Sequence, residues 1–177
     1  QAIRASAPSR VANAPYGTSS GWPSAMRGHG RLPYSWNMIG AAIQSAGSMQ
    51  VDAAQLINDG KLLAGQDLQA TVTVASGLQN AGVIAADGKL GVIAGSTDAK
   101  NTGTIAGNTL DMQVASLTNS GTVQGGNSLD NRIQAQGNVT NQTGGVITLG
   151  TSTNSGGMLS AQGVVNDGTL QSGGNLK

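Results

Sequence analysis

Leu117-Thr118-Asn119-Ser120-Gly121-Thr122-Val123 reads as an aliphatic residue, a spacer, Asn, a spacer, Gly, a spacer and a second aliphatic residue, and the pattern recurs along most of the chain. Four further strict copies carry Leu56, Asn58, Gly60 and Leu62; Leu78, Asn80, Gly82 and Ile84; Ala99, Asn101, Gly103 and Ile105; and Val164, Asn166, Gly168 and Leu170. A looser copy runs from Val139 and Asn141 to Gly144 and Val146 with one residue inserted. A third apolar position trails the second by five or six residues at Leu68, Leu90, Leu110, Leu129 and Leu176, and Ile43 with Met49 look like the same pair one turn earlier.

The asparagines Asn58, Asn80, Asn101, Asn119, Asn141 and Asn166 stand 18 to 25 residues apart, a period of about 20. Self-similarity at such a period marks a solenoid, in which each repeat is one unit that buries its apolar face only against its neighbours. The segments between turn signals are short and alternate apolar with polar residues, as in Thr71-Val72-Thr73 and Gly103-Thr104-Ile105, which is the period of a strand. The expected architecture is therefore all-β: about six stacked coils joined by parallel hydrogen bonds, with equivalent residues about 4.8 Å apart. Ile105 is expected to face in and Thr104 out. The Asn-x-Gly elements read as corners, because both residue types tolerate the left-handed backbone of a sharp turn.

Composition supports a narrow interior. The chain of 177 residues has 28 Gly, no Phe and no Cys, and its aromatic residues, Tyr16, Trp22, Tyr34 and Trp36, all precede residue 37, as do Pro8, Pro15, Pro23 and Pro33. Two regions are expected: residues 1–40 as an irregular leader or cap, and residues 43–177 as the repeats. A net charge of +1, with 10% charged residues, argues against an electrostatic nucleic-acid surface, and Arg4, Arg10, Arg27 and Arg31 read as a solvated basic arm. The lack of Cys removes thiolate metal sites, and no apolar run approaches the roughly 20 residues of a membrane-spanning helix.

The patterns that could carry chemistry have simpler readings. Gly17-Thr18-Ser19-Ser20-Gly21, followed by the lone His29, fits a nucleophile elbow but sits between prolines in loop-like sequence. Gly125-Gly126-Asn127-Ser128-Leu129-Asp130 resembles half of a calcium nonapeptide but occurs once, where a calcium cage needs many oxygen ligands. Gly82 to Lys89 has the wrong glycine spacing for a phosphate loop. Asp52, Asp59, Asp67, Asp87, Asp98, Asp111, Asp130 and Asp167 do not pair at one repeat phase and read as turn formers. Thr71, Thr104, Thr122, Thr148 and Thr169 do not all share one phase, so they make no flat threonine array. Asn138-Val139-Thr140 and Asn141-Gln142-Thr143 match the acceptor pattern for N-linked sugar and read as Asn-rich turns. No catalytic residue, metal ligand or cofactor site is expected.

The repeats resemble the haemagglutinin repeats of filamentous-haemagglutinin-like exoproteins, a family that includes adhesins and contact-dependent growth inhibition proteins. The stretches that carry the resemblance are LINDGKLLAGQDL, LQNAGVIAADGKL, KNTGTIAGNTLDM, LTNSGTVQGGNSLD and VVNDGTLQSGGNL, and it covers residues from Ile43 to Lys177. It implies a right-handed β-helical shaft, exported through an outer-membrane two-partner transporter and secreted from, or displayed on, a Gram-negative surface. It also implies contact with a host-cell or bacterial receptor or glycan. The family's amino-terminal secretion domain carries Asn-Pro motifs; none occurs here, so the chain reads as an internal piece of something larger. The competing expectation is a carbohydrate-active or carbohydrate-binding β-helix, which would need clustered acids or a basic cleft.

Overall fold

A computed structural model of the chain describes residues 3–5, 35–38, 40–73 and 77–177. Among these residues there is no helix; short strands stack in parallel as a β-solenoid of about six turns. The strands are β1 (Ile3–Ala5), β2 (Ser35–Met38), β3 (Ala42–Ser45), β4 (Met49–Ala53), β5 (Gln55–Asn58), β6 (Lys61–Ala64), β7 (Leu68–Val72), β8 (Leu78–Asn80), β9 (Val83–Asn101) and β10 (Thr104–Asn119). They continue as β11 (Thr122–Gly125), β12 (Asn131–Ala135), β13 (Asn138–Asn141), β14 (Val146–Leu149), β15 (Gly157–Ser160), β16 (Gly163–Asn166) and β17 (Thr169–Gln171).

Each coil contributes to three faces. The first holds β2, β5, β8, the last residues of β9 and β10, β13 and β16. The second holds β3, β6, the starts of β9 and β10, β11, β14 and β17. The third holds β1, β4, β7, the middles of β9 and β10, β12 and β15. β9 and β10 run unbroken round all three faces, with register shifts between Gly107 and Thr109 and between Val114 and Ser116. β1 and β2 fall within the segment 1–40 expected to be irregular, each paired with a strand of the array; apart from Gly40, the rest of that segment lies outside the described residues.

Alternation puts one side chain in two into the interior. On the second face Leu62, Ile84, Ile105, Val123 and Ile147 lie in one inward column, each at most 1% exposed. On the first face Leu56, Leu78, Ala99, Leu117 and Val139 form a second buried inward column, each at most 3% exposed, and on the third Leu68, Leu90 and Leu110 form another. At about 1.5–3 kcal/mol for each large aliphatic side chain buried, a single coil cannot offset the entropy of ordering its own backbone, but a stack can. Leu170, in the last coil, packs partly buried against this core.

Two expected ladder positions are corrected. Leu129 is 72% exposed. The chain from Gly126 to Asp130 forms a turn closed by Ser128 N–H to Gly126 O (2.9 Å), which throws Leu129 outward, and Asn131 takes the slot above Leu110. Val146 faces out, paired with Thr122, and Ile147 occupies the column above Val123. The residue inserted after Asn141 makes Gly145, not Gly144, the corner glycine, so the inward position moves one residue on; Thr169 N–H accordingly binds Gly145 O at 2.8 Å.

Neighbours in one strand test this register. Ile105→Asp places an unpaired carboxylate between Ile84 and Val123 and should cost several kcal/mol, whereas Thr104→Asp, on the half-exposed outer side, should cost under about 1 kcal/mol. Paired urea melts measure the difference; equal losses, or a larger one at Thr104, would mean that the strand register has been misread, since a slip of one residue exchanges the two faces.

Candidate functional site

The corner asparagines do something other than turn the chain. Asn58, Asn80, Asn101, Asn119 and Asn141 are 0–2% exposed, and their carboxamides stack along the axis. Asn58 Nδ2 donates to Asn80 Oδ1 (2.7 Å), and the same bond recurs at 2.8 Å from Asn80 to Asn101, Asn101 to Asn119, Asn119 to Asn141 and Asn141 to Asn166. Each of the four amides from Asn80 to Asn141 also faces two carbonyls: that of the glycine following in its own coil and that of a residue in the next coil. For Asn101 these are Gly103 O (3.2 Å) and Thr122 O (3.0 Å). One N–H therefore serves the ladder and the other is shared between two backbone acceptors. The backbone carbonyl of each ladder asparagine from Asn58 to Asn141 in turn receives one or two N–H groups from the coil above, as at Asn80 O from Thr102 (2.8 Å) and Gly103 (3.1 Å).

The left-handed corners expected from Asn-x-Gly are absent. Among the described residues no non-glycine has positive φ, and only Gly40, Gly144 and Gly150 do among the glycines. Gly82, Gly103 and Gly121 are required for another reason: a Cβ there would collide with the carbonyl of Gly60, Gly82 and Gly103 respectively, one coil below. Those carbonyls accept the N–H of Val83, Thr104 and Thr122, each at 2.8 Å. Gly60 meets the Ala41 carbonyl, and Gly168 that of Gly145, in the same manner.

Asn131 forms a second buried polar centre. Its Nδ2 donates to Gly126 O (3.1 Å), Ser128 O (2.8 Å) and Gly156 O (2.9 Å), and its Oδ1 accepts Leu110 N–H (3.0 Å). Two carbonyls of the calcium-like stretch Gly125 to Asp130, those of Gly126 and Ser128, thus converge on a side-chain amide, and Asp130 is exposed. Among the described residues no group of three or more His, Cys, Asp or Glu could hold a metal ion.

The aspartates are not all plain turn formers. On the third face Asp111 receives a two-pronged contact from Arg132 (Nε to Oδ1 3.1 Å; Nη2 to Oδ2 2.9 Å) and an ion pair from Lys89 (3.0 Å), which joins three successive coils. Burial opposes the charge on Asp111, but hydrogen bonds from Arg132, Lys89 and Gln113 outweigh it and hold its carboxyl below the ordinary carboxylate value. Asp67 Oδ1 accepts Lys89 N–H at 2.7 Å, another bond between coils. A shallow depression of about 190 Å³ lies beside this cluster, among Gly95, Gln113, Gln134 and Gln136. The outer side of the second face, by contrast, carries Thr104, Thr122 and Thr169 in one column with Val83 and Val146, while Thr148 lies one column over and Thr71 on the third face. Gly17 to Gly21 and His29 lie outside the described residues.

No family model, curated protein sequence or solved structure matches this chain. What the geometry defines is the class: an all-β parallel solenoid with a buried polar ladder.

Asn101→Leu should leave the Asn80 amide without its Oδ1 acceptor and Asn119 Oδ1 without its ladder donor, a loss of about 2–4 kcal/mol at roughly 1–3 kcal/mol for each orphaned buried group. Thr102→Ala, at the exposed spacer beside it, should change stability by less than about 0.5 kcal/mol. Urea midpoints of the two variants decide whether the ladder bears the stability assigned to it.

The Asp111 clamp gives a pH dependence. Because the folded carboxyl titrates below its unfolded value, its stabilisation is fully present above about pH 4 and is lost as the pH falls through the lowered folded value. Asp111→Asn should cost on the order of 1 kcal/mol at neutral pH, and the gap between variant and parent should close as melts are taken into acid.

Proposed function

We propose that the chain is a structural shaft of a secreted or surface-exposed filamentous adhesin or exoprotein, one that adheres or holds other regions away from the cell. The observation that favours this reading is axial continuity. Every coil from β2 onward is bonded to the next by parallel backbone ladders, and the asparagine column runs without a break from Asn58 to Asn166. Tension along the axis is shared over several hydrogen bonds per coil and by the buried aliphatic columns, which suits a load-bearing rod. Outward side chains recur at the coil spacing, so recognition of a surface receptor or glycan would be spread along a face.

Export through an outer-membrane two-partner transporter belongs to the same proposal and rests on the resemblance of the Asn-x-Gly repeats. The carbohydrate-active alternative draws little from the cluster around Asp111: its single carboxylate is taken up by Arg132 and Lys89, whereas glycoside cleavage uses two carboxylates flanking one bond.

Pulling the chain end to end in a force spectrometer tests the shaft. A rod of stacked coils should resist and then give way in steps of about 70 Å, the extended length of roughly 20 residues. Smooth extension at negligible force, like that of a flexible linker, would sink the reading. Beads coated with the chain should be retained on host or bacterial cells and displaced by soluble chain; retention that soluble chain does not displace removes the adhesive half of the proposal.

A further inference from the structure

Three aspartates are followed directly by glycine: Asp59-Gly60, Asp87-Gly88 and Asp167-Gly168. All three aspartates are exposed. In such a pair the glycine nitrogen can close a succinimide ring onto the aspartate side-chain carbon, because the following residue has no Cβ to obstruct the approach. Ring closure needs that nitrogen free, since an N–H held by an acceptor must first be released by local opening. The bonding of the glycine amide therefore separates the three pairs.

Two of them are held. Gly88 lies within β9, and its N–H donates to Gln66 O, in the coil below, at 2.8 Å. Gly60 N–H donates to Asn58 Oδ1 at 3.3 Å, and Gly60 is itself buried. Gly168 differs. At the regular corners the N–H of Gly82, Gly103 and Gly121 reaches the carbonyl of the ladder asparagine one coil below, Asn58, Asn80 and Asn101, at 2.9, 3.1 and 3.2 Å. The asparagine below Gly168 is Asn141, whose carbonyl accepts Asp167 N–H alone (2.8 Å). The residue inserted after Asn141 reshapes that corner, which closes by Gly145 N–H to Gln142 O (2.8 Å), and Gly168 N–H donates to no described residue.

We propose that Asp167 is a site of spontaneous isomerisation in the folded chain and that Asp59 and Asp87 are not. Gly168 N forms a bond to Asp167 Cγ, and the hydroxyl of the protonated carboxyl leaves with the amide proton as water. Water then adds back to the ring. Opening at the side-chain carbonyl restores aspartate; opening at the main-chain carbonyl leaves isoaspartate, with the backbone running through Cβ and Cγ. Nothing is oxidised or reduced. The product lengthens the chain at a corner with no slack: a Cβ on Gly168 already has no room against the carbonyls of Gly145 and Gln142. The next residue, Thr169, is bonded by its N–H to Gly145 O (2.8 Å) and by its carbonyl to Asn141 Nδ2 (3.0 Å). Isomerisation thus loosens the last coil from the asparagine column and marks aged chains at one corner.

The whole folded chain is held for weeks in mildly acidic buffer made with heavy-oxygen water, beside a sample kept unfolded in urea. Each passage through the ring leaves a heavy oxygen, and mass spectrometry of proteolytic peptides locates it and tells isoaspartate from aspartate. In the folded chain isoaspartate should build up at Asp167 about tenfold faster than at Asp59 or Asp87, roughly the factor that one net hydrogen bond represents. In urea the three rates should converge. Asp167→Glu, which keeps the charge but closes the ring poorly, should remove the signal at that position and leave Asp59 and Asp87 as they were. Equal rates at the three pairs of the folded chain overturn the proposal, as does a faster rate at Asp59 or Asp87. So does isoaspartate at Asp167 in urea but not in the folded chain, or at no position in either sample.

Discussion

The structure depends on the hydrogen bonding of asparagine carboxamides buried against an aliphatic interior. A buried amide without partners costs on the order of 1–3 kcal/mol, and five such amides lie in this column. Each finds its Oδ1 acceptor and one carbonyl in the coil that follows, so no coil satisfies its own corner in full. The Nδ2 to Oδ1 bonds also align the carboxamide dipoles head to tail, and bonds so arranged strengthen one another. The consequence is strict: a coil that slips in register loses both its apolar columns and its ladder contacts.

The glycines belong to the same device. With the asparagine carboxamide turned inward and its carbonyl bonded to the coil above, the chain must pass the next corner close to the carbonyl beneath it. That approach leaves no room for a Cβ at Gly82, Gly103 or Gly121. Each of these corners is thus knit between coils instead of within one, and its backbone needs no left-handed residue. Asn and Gly two positions apart form one unit, the first supplying donors inside and the second allowing backbones to touch.

Departures from the repeat are absorbed locally. Between Gly125 and Asn131 the chain leaves the wall, and a polar side chain closes the gap by gathering three carbonyls and one N–H. After Asn141 an inserted residue is taken up beside Gly144, whose φ of 83° only glycine adopts easily, and the inward column resumes at Ile147. The three faces differ outside as well. The third carries the Lys89, Asp111 and Arg132 cluster, and the second, from Val83 onward, presents Thr, Val, Ala and Gln.

Much of the fold was legible in the sequence because a solenoid repeats its constraints. The period of Asn58, Asn80, Asn101 and Asn119 sets the coil length, and the alternation around Ile84, Ile105 and Val123 sets which side faces in. Each is local and recurs, so chance cannot imitate it. Leu129 and Val146 were misplaced for the converse reason: one sits within an irregularity and the other just after one, and a count along the chain cannot say whether an extra residue is looped out or shifts the register. The ion cluster was invisible because Lys89, Asp111 and Arg132 meet only through the stacking of three coils. The sequence by itself determined a repetitive parallel β architecture with aliphatic columns, and the spacing of its corners. Only the tertiary structure decided that the asparagines point inward and bond along the axis, that the glycines serve close approach, and that the corner below Gly168 leaves its amide without an acceptor. Those properties are fixed by the neighbouring coil, some 20 residues away in the chain and about 4.8 Å away in space.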